Sequence, residues 1–258
     1  MNPILFHIYG PLAIHMYGLC IALGGIISFY LFSHDRKIVP LISESVLVSI
    51  FQIILLAGFF GGRIGCILSQ PEFFNDPFFL FKFWEPGLSV MGTIIGVAVV
   101  LGIYLFFKKI SFLFLLDRIS IYAPLAQSFG RLGCFFAGCC YGLPTESWFS
   151  VTYTHSNHLA PLHCSLHPAQ LYSSIMLFFI FCGLYFILQY RIKTVGLLFS
   201  FYLFLVSLER FLLDFIRWDR IFIKDSAFFS FLSIHQWIAL STCFIAFLFV
   251  LVLSWKKR

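Results

Sequence analysis

Apolar residues run through this chain in long unbroken blocks rather than in stripes. Seven blocks stand out, at roughly residues 12–33, 45–68, 88–107, 119–140, 168–190, 194–216 and 230–254. Each is close to the ~20 residues needed to cross the hydrocarbon of a bilayer. Lipid offers backbone groups no hydrogen-bond partner, so segments that cross it are expected to be helical. The pattern therefore predicts an all-α, polytopic membrane protein of about seven helices. Two of the intervening stretches are more than connectors. Residues 69–87 interleave aromatic residues with Pro71, Pro77 and Pro86, which suits a short piece lying in the headgroup layer. Residues 141–166 carry His155, His158 and His163 with Pro144 and Pro161, and predict an outer-face loop. No internal repeat or low-complexity linker interrupts the pattern. One membrane domain over 1–258, with these two outer elements, is expected.

Charge gives the blocks a direction. Ten of the 17 basic residues fall on alternate connections and the C-terminus: Arg36, Lys37, Lys108, Lys109, Arg118, Arg191, Lys193, Lys256, Lys257 and Arg258. The opposite connections hold Lys82, Arg220 and Lys224, with Arg217 at a helix edge, among Glu72, Asp76, Glu85, Glu146, Asp219 and Asp225. The excess of Lys and Arg marks the cytoplasmic side, so the N-terminus is expected outside and the C-terminus inside. Composition agrees with a membrane solvent. The chain is 60% hydrophobic and 11% charged, against about 25% charged in a soluble domain. The net charge of +6 is no nucleic-acid footprint, because the basic residues sit at segment ends. Cys20, Cys66, Cys182 and Cys243 lie within apolar runs and read as small apolar side chains. No secreted-type cysteine framework is present. The opening Met1-Asn2-Pro3-Ile4 lacks a basic n-region, so no removable signal peptide is expected.

Three arginines remain inside the apolar blocks: Arg63, Arg131 and Arg210. An arginine at mid-helix costs about 2.5–3.5 kcal/mol on insertion scales, so it faces protein, water or an anion. Arg131 lies in a run where Gly130, Cys134, Gly138 and Gly142 recur every four residues. On one helix they would form a strip for close approach of a helix or a lipid. Arg210, Asp214 and Arg217 would share a helical face, where an Arg210–Asp214 pair leaves one arginine for an anion. For Arg63, after Gly61-Gly62 near the outer end of the second block, snorkelling or a structural bond on one hand and a functional role on the other are equally open. Guanidinium matches phosphate in a bidentate way. Arginines near the outer leaflet therefore suggest a phospholipid headgroup as ligand, hence a lipid-handling enzyme or transporter.

Other polar groups surround this reading. His167-Pro168-Ala169-Gln170-Leu171-Tyr172 opens the fifth block, with Pro168 suited to the first helical position. Its polar side chains serve either a site or an interfacial cap. Ser233, His235 and Gln236 open the seventh block as a structural cap. Tyr17 is a phenol within the first block and needs a partner. Cys134, Cys139 and Cys140 raise a metal or redox centre as the less favoured alternative. Adjacent Cys139 and Cys140 would make a strained disulfide, and no histidine sits at ligand spacing on the same helix.

Taken together, six motifs resemble the prolipoprotein diacylglyceryl transferase family along nearly the whole chain. His15-Met16-Tyr17-Gly18 resembles H-x-Y-G. Gly61-Gly62-Arg63-Ile64-Gly65 matches G-G-R-I-G. Gly87 to Gly92 is similar to G-x-S-F-H-G-G, and Gly130 to Gly142 to G-R-x-G-N-F-x-N-x-E-x-x-G. His167 to Tyr172 is similar to H-P-S-Q-L-Y, and Arg210 to Arg217 to R-x-x-x-E-F-x-R. The resemblance implies an enzyme of the bacterial inner membrane. It moves a diacylglyceryl group from phosphatidylglycerol to the lipobox cysteine thiol of a prolipoprotein, recognised by its signal peptide. Glycerol phosphate leaves, and no metal or soluble cofactor takes part.

Transferred residue by residue, the resemblance makes Arg131 and Arg210 the phosphate-binding and charge-stabilising pair. Tyr17 would orient the headgroup, and His167 would organise the outer rim or relay a proton. Arg63, Gly142, Gln170, Asp214 and Arg217 are further substrate-binding positions. The chain also departs from the pattern. The family histidine is Met91, its asparagines are Cys134 and Ala137, its acidic residue is Cys139, and the glutamate after Arg210 is Asp214. Met91 cannot take a proton, so the thiol must lose its proton elsewhere. The other readings are a paralogue with another acceptor or no catalysis, and a lipid transporter. A transporter predicts inverted repeats or a broken-helix pair, and neither is visible.

Overall fold

The computed structural model describes residues 3–9, 12–70, 78–82, 87–222 and 231–255. Strands β1 (Ile4–Tyr9) and β2 (Leu12–His15) form an antiparallel hairpin. Helices α1 (Met16–Ser33), α2 (Glu44–Ser69), α3 (Val90–Lys108) and α4 (Phe112–Ala137) follow. Then come the short strands β3 (Val151–Thr152) and β4 (Ser165–Leu166). Helix α5 (Ala169–Cys182) runs on through a π-helical turn to Arg191. Helices α6 (Leu197–Asp214) and α7 (Ile234–Trp255) complete the described chain. It divides into two compact units, Ser33–Leu115 and Met1–Phe32 with Leu116–Arg258.

Five helical stretches are long and apolar enough to cross a membrane: Met16–Ser33, Glu44–Ser69, Val90–Lys108, Ala169–Arg191 and Ile234–Leu253. The other two long helices carry polar groups. In α4 these include Ser120, Gln127, Ser128 and Arg131, and in α6 Glu209, Arg210 and Asp214. The protein is thus mostly helical, with each apolar block matching one long helical run.

Within Ser33–Leu115, α2 and α3 pack through glycine. A Cβ on Gly61 would lie 2.6 Å from the Gly92 carbonyl oxygen and 3.0 Å from Gly96 Cα. A Cβ on Gly65 would lie 2.7 Å from Gly92 Cα. Two glycine pairs spaced by four residues therefore let the helix backbones touch, where dispersion replaces the missing hydrophobic drive of lipid. Two of the recognised motifs are the two faces of this contact. Arg63 sits at its end, 1% exposed. Its Nη1 donates to the Gly87 carbonyl at 3.1 Å and its Nη2 to the Lys82 carbonyl. The guanidinium also lies over the Phe79 ring at 4.5 Å. The structural alternative for Arg63 is the one that fits this geometry.

In the other unit, α1 meets α4 closely. A Cβ on Gly24 would stand 2.6 Å from Phe129 Cβ, and one on Gly133 would stand 3.1 Å from Tyr17 Cδ2. Asp117 on α4 caps α6. Its carboxylate accepts the Gly196 N–H at 2.6 Å and the Phe199 N–H at 2.8 Å. These are among the amides that a helix start leaves unpaired. Replacing a capping carboxylate costs on the order of 1–2 kcal/mol. Asp117→Ala is expected to lower thermal stability in detergent by that amount, and Asp117→Asn to keep most of it. Equal melting of Asp117→Ala and the parent would refute the capping role.

Several expectations are corrected. Leu12–His15 is a strand, because an apolar run alone does not distinguish strand from helix. Helix α4 ends at Ala137, so Gly138 and Gly142 lie beyond it and the four-residue strip does not continue. Helix α6 ends at Asp214, so Arg217 is not on its face. Arg118 is inside α4 and buried, donating to Gln189 Oε1 at 3.1 Å, rather than a loop charge. The 141–166 loop holds the β3–β4 ladder over a small core of Tyr153, Ala160 and Leu166. Of the 69–87 element, a 3-10 turn at Phe79–Phe81 is described, and most of the rest lies outside the described residues, with Lys224, Asp225 and Lys256–Arg258.

Candidate active site

The site begins where α4 stops. The Cys139 N–H bonds the Cys134 carbonyl at 3.2 Å and the Gly138 N–H bonds the Phe135 carbonyl at 3.2 Å. With Gly138 at φ +72°, this is a Schellman ending, which needs a residue free to adopt the left-handed region. Cys140 is left-handed as well, at φ +59°. That costs a non-glycine residue on the order of 1–2 kcal/mol. The double bend turns Cys139 and Cys140 back towards Cys134. The three thiol sulfurs all lie within 4.8 Å of one another, each half-buried.

The chain then pairs on both sides. The Gly142 N–H bonds the His167 carbonyl at 2.9 Å, and the His167 N–H bonds the Leu143 carbonyl at 3.0 Å. On the other edge the Leu143 N–H bonds the Ile216 carbonyl at 2.8 Å and the Trp218 N–H bonds the Tyr141 carbonyl at 3.2 Å. Gly142 bridges Arg217 directly. Three motifs far apart in sequence thus meet in one irregular ribbon. Gln170, 1% exposed, donates from Nε2 to the Cys139 carbonyl at 2.7 Å and locks the cysteine bend. Its second contact, at 3.4 Å, is with the Tyr153 hydroxyl. Burial pushes that phenol up to about 12, against the Gln170 bond, so it stays protonated. It donates to the Phe135 carbonyl at 3.2 Å. His167 stands at the rim, with Nδ1 3.3 Å from the Tyr172 hydroxyl and its ring beside Phe149.

Charges complete the picture. Arg217 grips Asp219 with two bonds, Nε to Oδ1 at 2.7 Å and Nη2 to Oδ2 at 2.5 Å. Burial would raise the Asp219 pKa, but the Arg217 guanidinium more than offsets it and holds the carboxyl below its ordinary value. Arg210 pairs with Asp214 at 3.2 Å, as its i,i+4 spacing anticipated. Asp214 is fully buried, bonded by the Ser233 hydroxyl and 3.7 Å from Arg220 Nε. Asp214 therefore anchors the arginine rather than reaching outward. Arg131 differs from both. Among the described residues it has no ion pair and no hydrogen bond, although it acts electrostatically on Tyr17, Cys134, Glu209 and Arg210. Tyr17 is 43% exposed and faces the same three thiols.

Glu209 was not singled out from the sequence. It is 3% exposed, accepts a bond from the Ser173 hydroxyl and lies within electrostatic range of Arg131, Arg210 and Arg217. The available signal was a carboxylate inside an apolar helix. The structure thus gathers Tyr17, Arg131, Gly142, His167, Gln170, Arg210, Asp214 and Arg217 in one unit. Arg63 belongs to the other. With two guanidiniums already holding carboxylates, the cluster contains one more cation that has no ion pair among the described residues. A phosphodiester satisfies it in charge and in bidentate geometry.

Known proteins resemble this chain along most of its length. The family model for prolipoprotein diacylglyceryl transferase matches residues 3–252. A phosphatidylglycerol–prolipoprotein diacylglyceryl transferase of Clostridium tetani is 35% identical over 249 residues, covering 95% of each chain. The homologous enzyme of Symbiobacterium thermophilum is 31% identical over 266 residues, covering 100% of this chain and 94% of its own. A second transferase of Clostridium perfringens is 34% identical over 222 residues, with 85% and 84% covered. This chain belongs to the prolipoprotein diacylglyceryl transferase family.

Proposed function

We propose that the chain transfers a diacylglyceryl group from phosphatidylglycerol to the lipobox cysteine thiol of prolipoproteins, recognised through their signal peptides. The observation that carries this reading is Arg131, a cation among Arg210, Arg217 and Tyr17 with no partner of its own among the described residues. In the reaction the thiol sulfur attacks the diacylglyceryl carbon that bears the phosphate ester. The carbon–oxygen bond breaks and its electron pair goes to the phosphate oxygen. The leaving glycerol phosphate gains the negative charge that the thiol proton neutralises. Arg131 and Arg210 bind the diester and stabilise that growing charge, an electrostatic contribution realised mainly in the transition state. Tyr17 orients the headgroup. His167 organises the rim and relays the proton. Gly142 and Gln170 shape the floor, while Asp214 holds Arg210. Arg217 frames the anion site from the Asp219 side, and Arg63 clamps the segment around Gly87 in its own unit.

The same reading places one membrane domain of seven spans over residues 1–258, with the N-terminus outside and the C-terminus cytoplasmic, in the bacterial inner membrane. Alternating Lys and Arg content supports the orientation. Depleting the protein in its host tests the function. Unprocessed prolipoproteins are expected to accumulate. Normal lipoprotein maturation, with no second homologue in that genome, would overturn the reading.

A further inference from the structure

The geometry points to a metal centre: Cys134, Cys139 and Cys140 form a three-thiolate site for a zinc-class d10 ion, whose open fourth position takes the acceptor thiol. The proposed role in catalysis rests on the transferase reading; the site itself does not. Three sulfurs from one helix end and the bend after it converge within 4.8 Å, and none is in a disulfide. A tetrahedral zinc thiolate has Zn–S bonds of about 2.3 Å, which sets neighbouring sulfurs roughly 3.8 Å apart by the same geometry. The bend is built rather than incidental. Cys140 holds a left-handed backbone at φ +59°, Gly138 one at +72°, and the buried Gln170 amide pins the Cys139 carbonyl at 2.7 Å. A loop that merely ended a helix would need only the glycine. Arg217 stands against the Cys140 thiol and Arg131 beside Cys134, so thiolate charge is compensated on two sides.

Three protein ligands and an open position define a reactive zinc site, and four protein ligands a structural one. No fourth ligand atom belongs to the cluster among the described residues. A thiol that coordinates the ion is deprotonated outright. The bound acceptor sulfur would therefore be a nucleophile without a general base, beside the arginine proposed to hold the diester. The proton it releases on binding the ion is relayed by His167 to the leaving glycerol phosphate. The sulfur leaves the ion as a neutral thioether, and the next thiol replaces it. This accounts in one step for Met91 where the family has histidine and for cysteines where it has amide and carboxylate.

The test uses the full chain purified in detergent under reductant, loaded with Zn2+ alone and desalted. We expect about one zinc per chain, lost in Cys134→Ala, Cys139→Ala and Cys140→Ala and kept in Cys182→Ala and Cys243→Ala. X-ray absorption should show three sulfurs and one lighter atom at the metal. A lipobox peptide should replace that atom with a fourth sulfur, and its Cys→Ser version should not. Zinc content unchanged in the triple Cys134/Cys139/Cys140→Ala variant would overturn the site. So would a disulfide among these cysteines under the same reductant. Lipidation that is equal before and after complete metal removal would overturn the catalytic role and leave the transferase reading standing. Zinc bound with a fourth peptide sulfur but no thioether product would support the site and overturn the transferase reading.

Discussion

Arg131→Ala is expected to lower lipidation of a lipobox peptide by at least ~100-fold in kcat/KM, with little change in thermal stability. The size follows from the loss of a donor proposed to stabilise the charge that develops on the leaving phosphate. The stability expectation follows from the structure. Arg131 has no ion-pair or hydrogen-bond partner among the described residues, and Glu209, the buried carboxylate within its electrostatic range, keeps the Ser173 hydroxyl and the charges of Arg210 and Arg217. Arg131→Lys keeps the charge but not the fork, and should recover only part of the rate. Arg210→Ala should differ. It also lowers activity, but it removes one partner of the fully buried Asp214. Breaking a buried pair from one side costs about 3–5 kcal/mol, less where other groups remain. Here the Ser233 hydroxyl and Arg220 remain, so a partial loss of stability is expected alongside the loss of rate. Assaying purified variants in vesicles of phosphatidylglycerol, with melting followed in parallel, separates the two. Wild-type turnover by Arg131→Ala would refute its role as the phosphate ligand.

Gly142→Ala is expected to damage both fold and activity, and Gly130→Ala to do neither. A Cβ on Gly142 would stand 2.6 Å from His167 Cβ and 2.8 Å from the carbonyl oxygens of His167 and Ile216. Two of these are atoms of paired backbone, which cannot move without breaking the ribbon that joins His167 to Arg217. Overpacking of this kind costs about 1–3 kcal/mol. In a chain of this size each kcal/mol lowers the midpoint by roughly 2–4 °C. Activity should fall further, because the ribbon positions the rim histidine against the arginine segment. A Cβ on Gly130 meets nothing within 4 Å. Alanine there is expected to be neutral or to stabilise the helix by about 0.5–1 kcal/mol. Equal melting of the two variants would refute the close-approach role of Gly142.

These two glycines show where the sequence misleads. Spacing by four makes Gly130 and Gly142 equivalent on a helix, and the helix stops between them. The stop is itself local, since Gly138 ends α4 with a Schellman bend. A glycine in an apolar run, however, reads equally as packing surface, so the ending was not legible beforehand. Arg63 shows a different limit. Its cost in the membrane is plain from the sequence, but its neutralisation comes from carbonyls at Lys82 and Gly87 and from aromatic faces. Backbone carbonyls occur everywhere in a sequence and carry no signal. The Arg210–Asp214 pair was legible, because its two members are four residues apart on one helix. Arg217–Asp219 was not, because it belongs to a non-helical turn beyond α6.

By itself, the sequence determined the solvent of this protein and the place of its long helices among the described residues. Block length and the scarcity of charge do that, since the cost of an unpaired backbone or charge in lipid is large and local. The same sequence marked the arginines, because each is expensive where it stands. Only the tertiary structure decided which of those charges are already satisfied. Pairing depends on groups brought together from distant segments: Gln170 onto Cys139, Gly142 between His167 and Ile216, and Glu209 among three guanidiniums. Likewise three cysteines, two of them adjacent in sequence, become one cluster only because two left-handed residues fold the chain back on its own helix end.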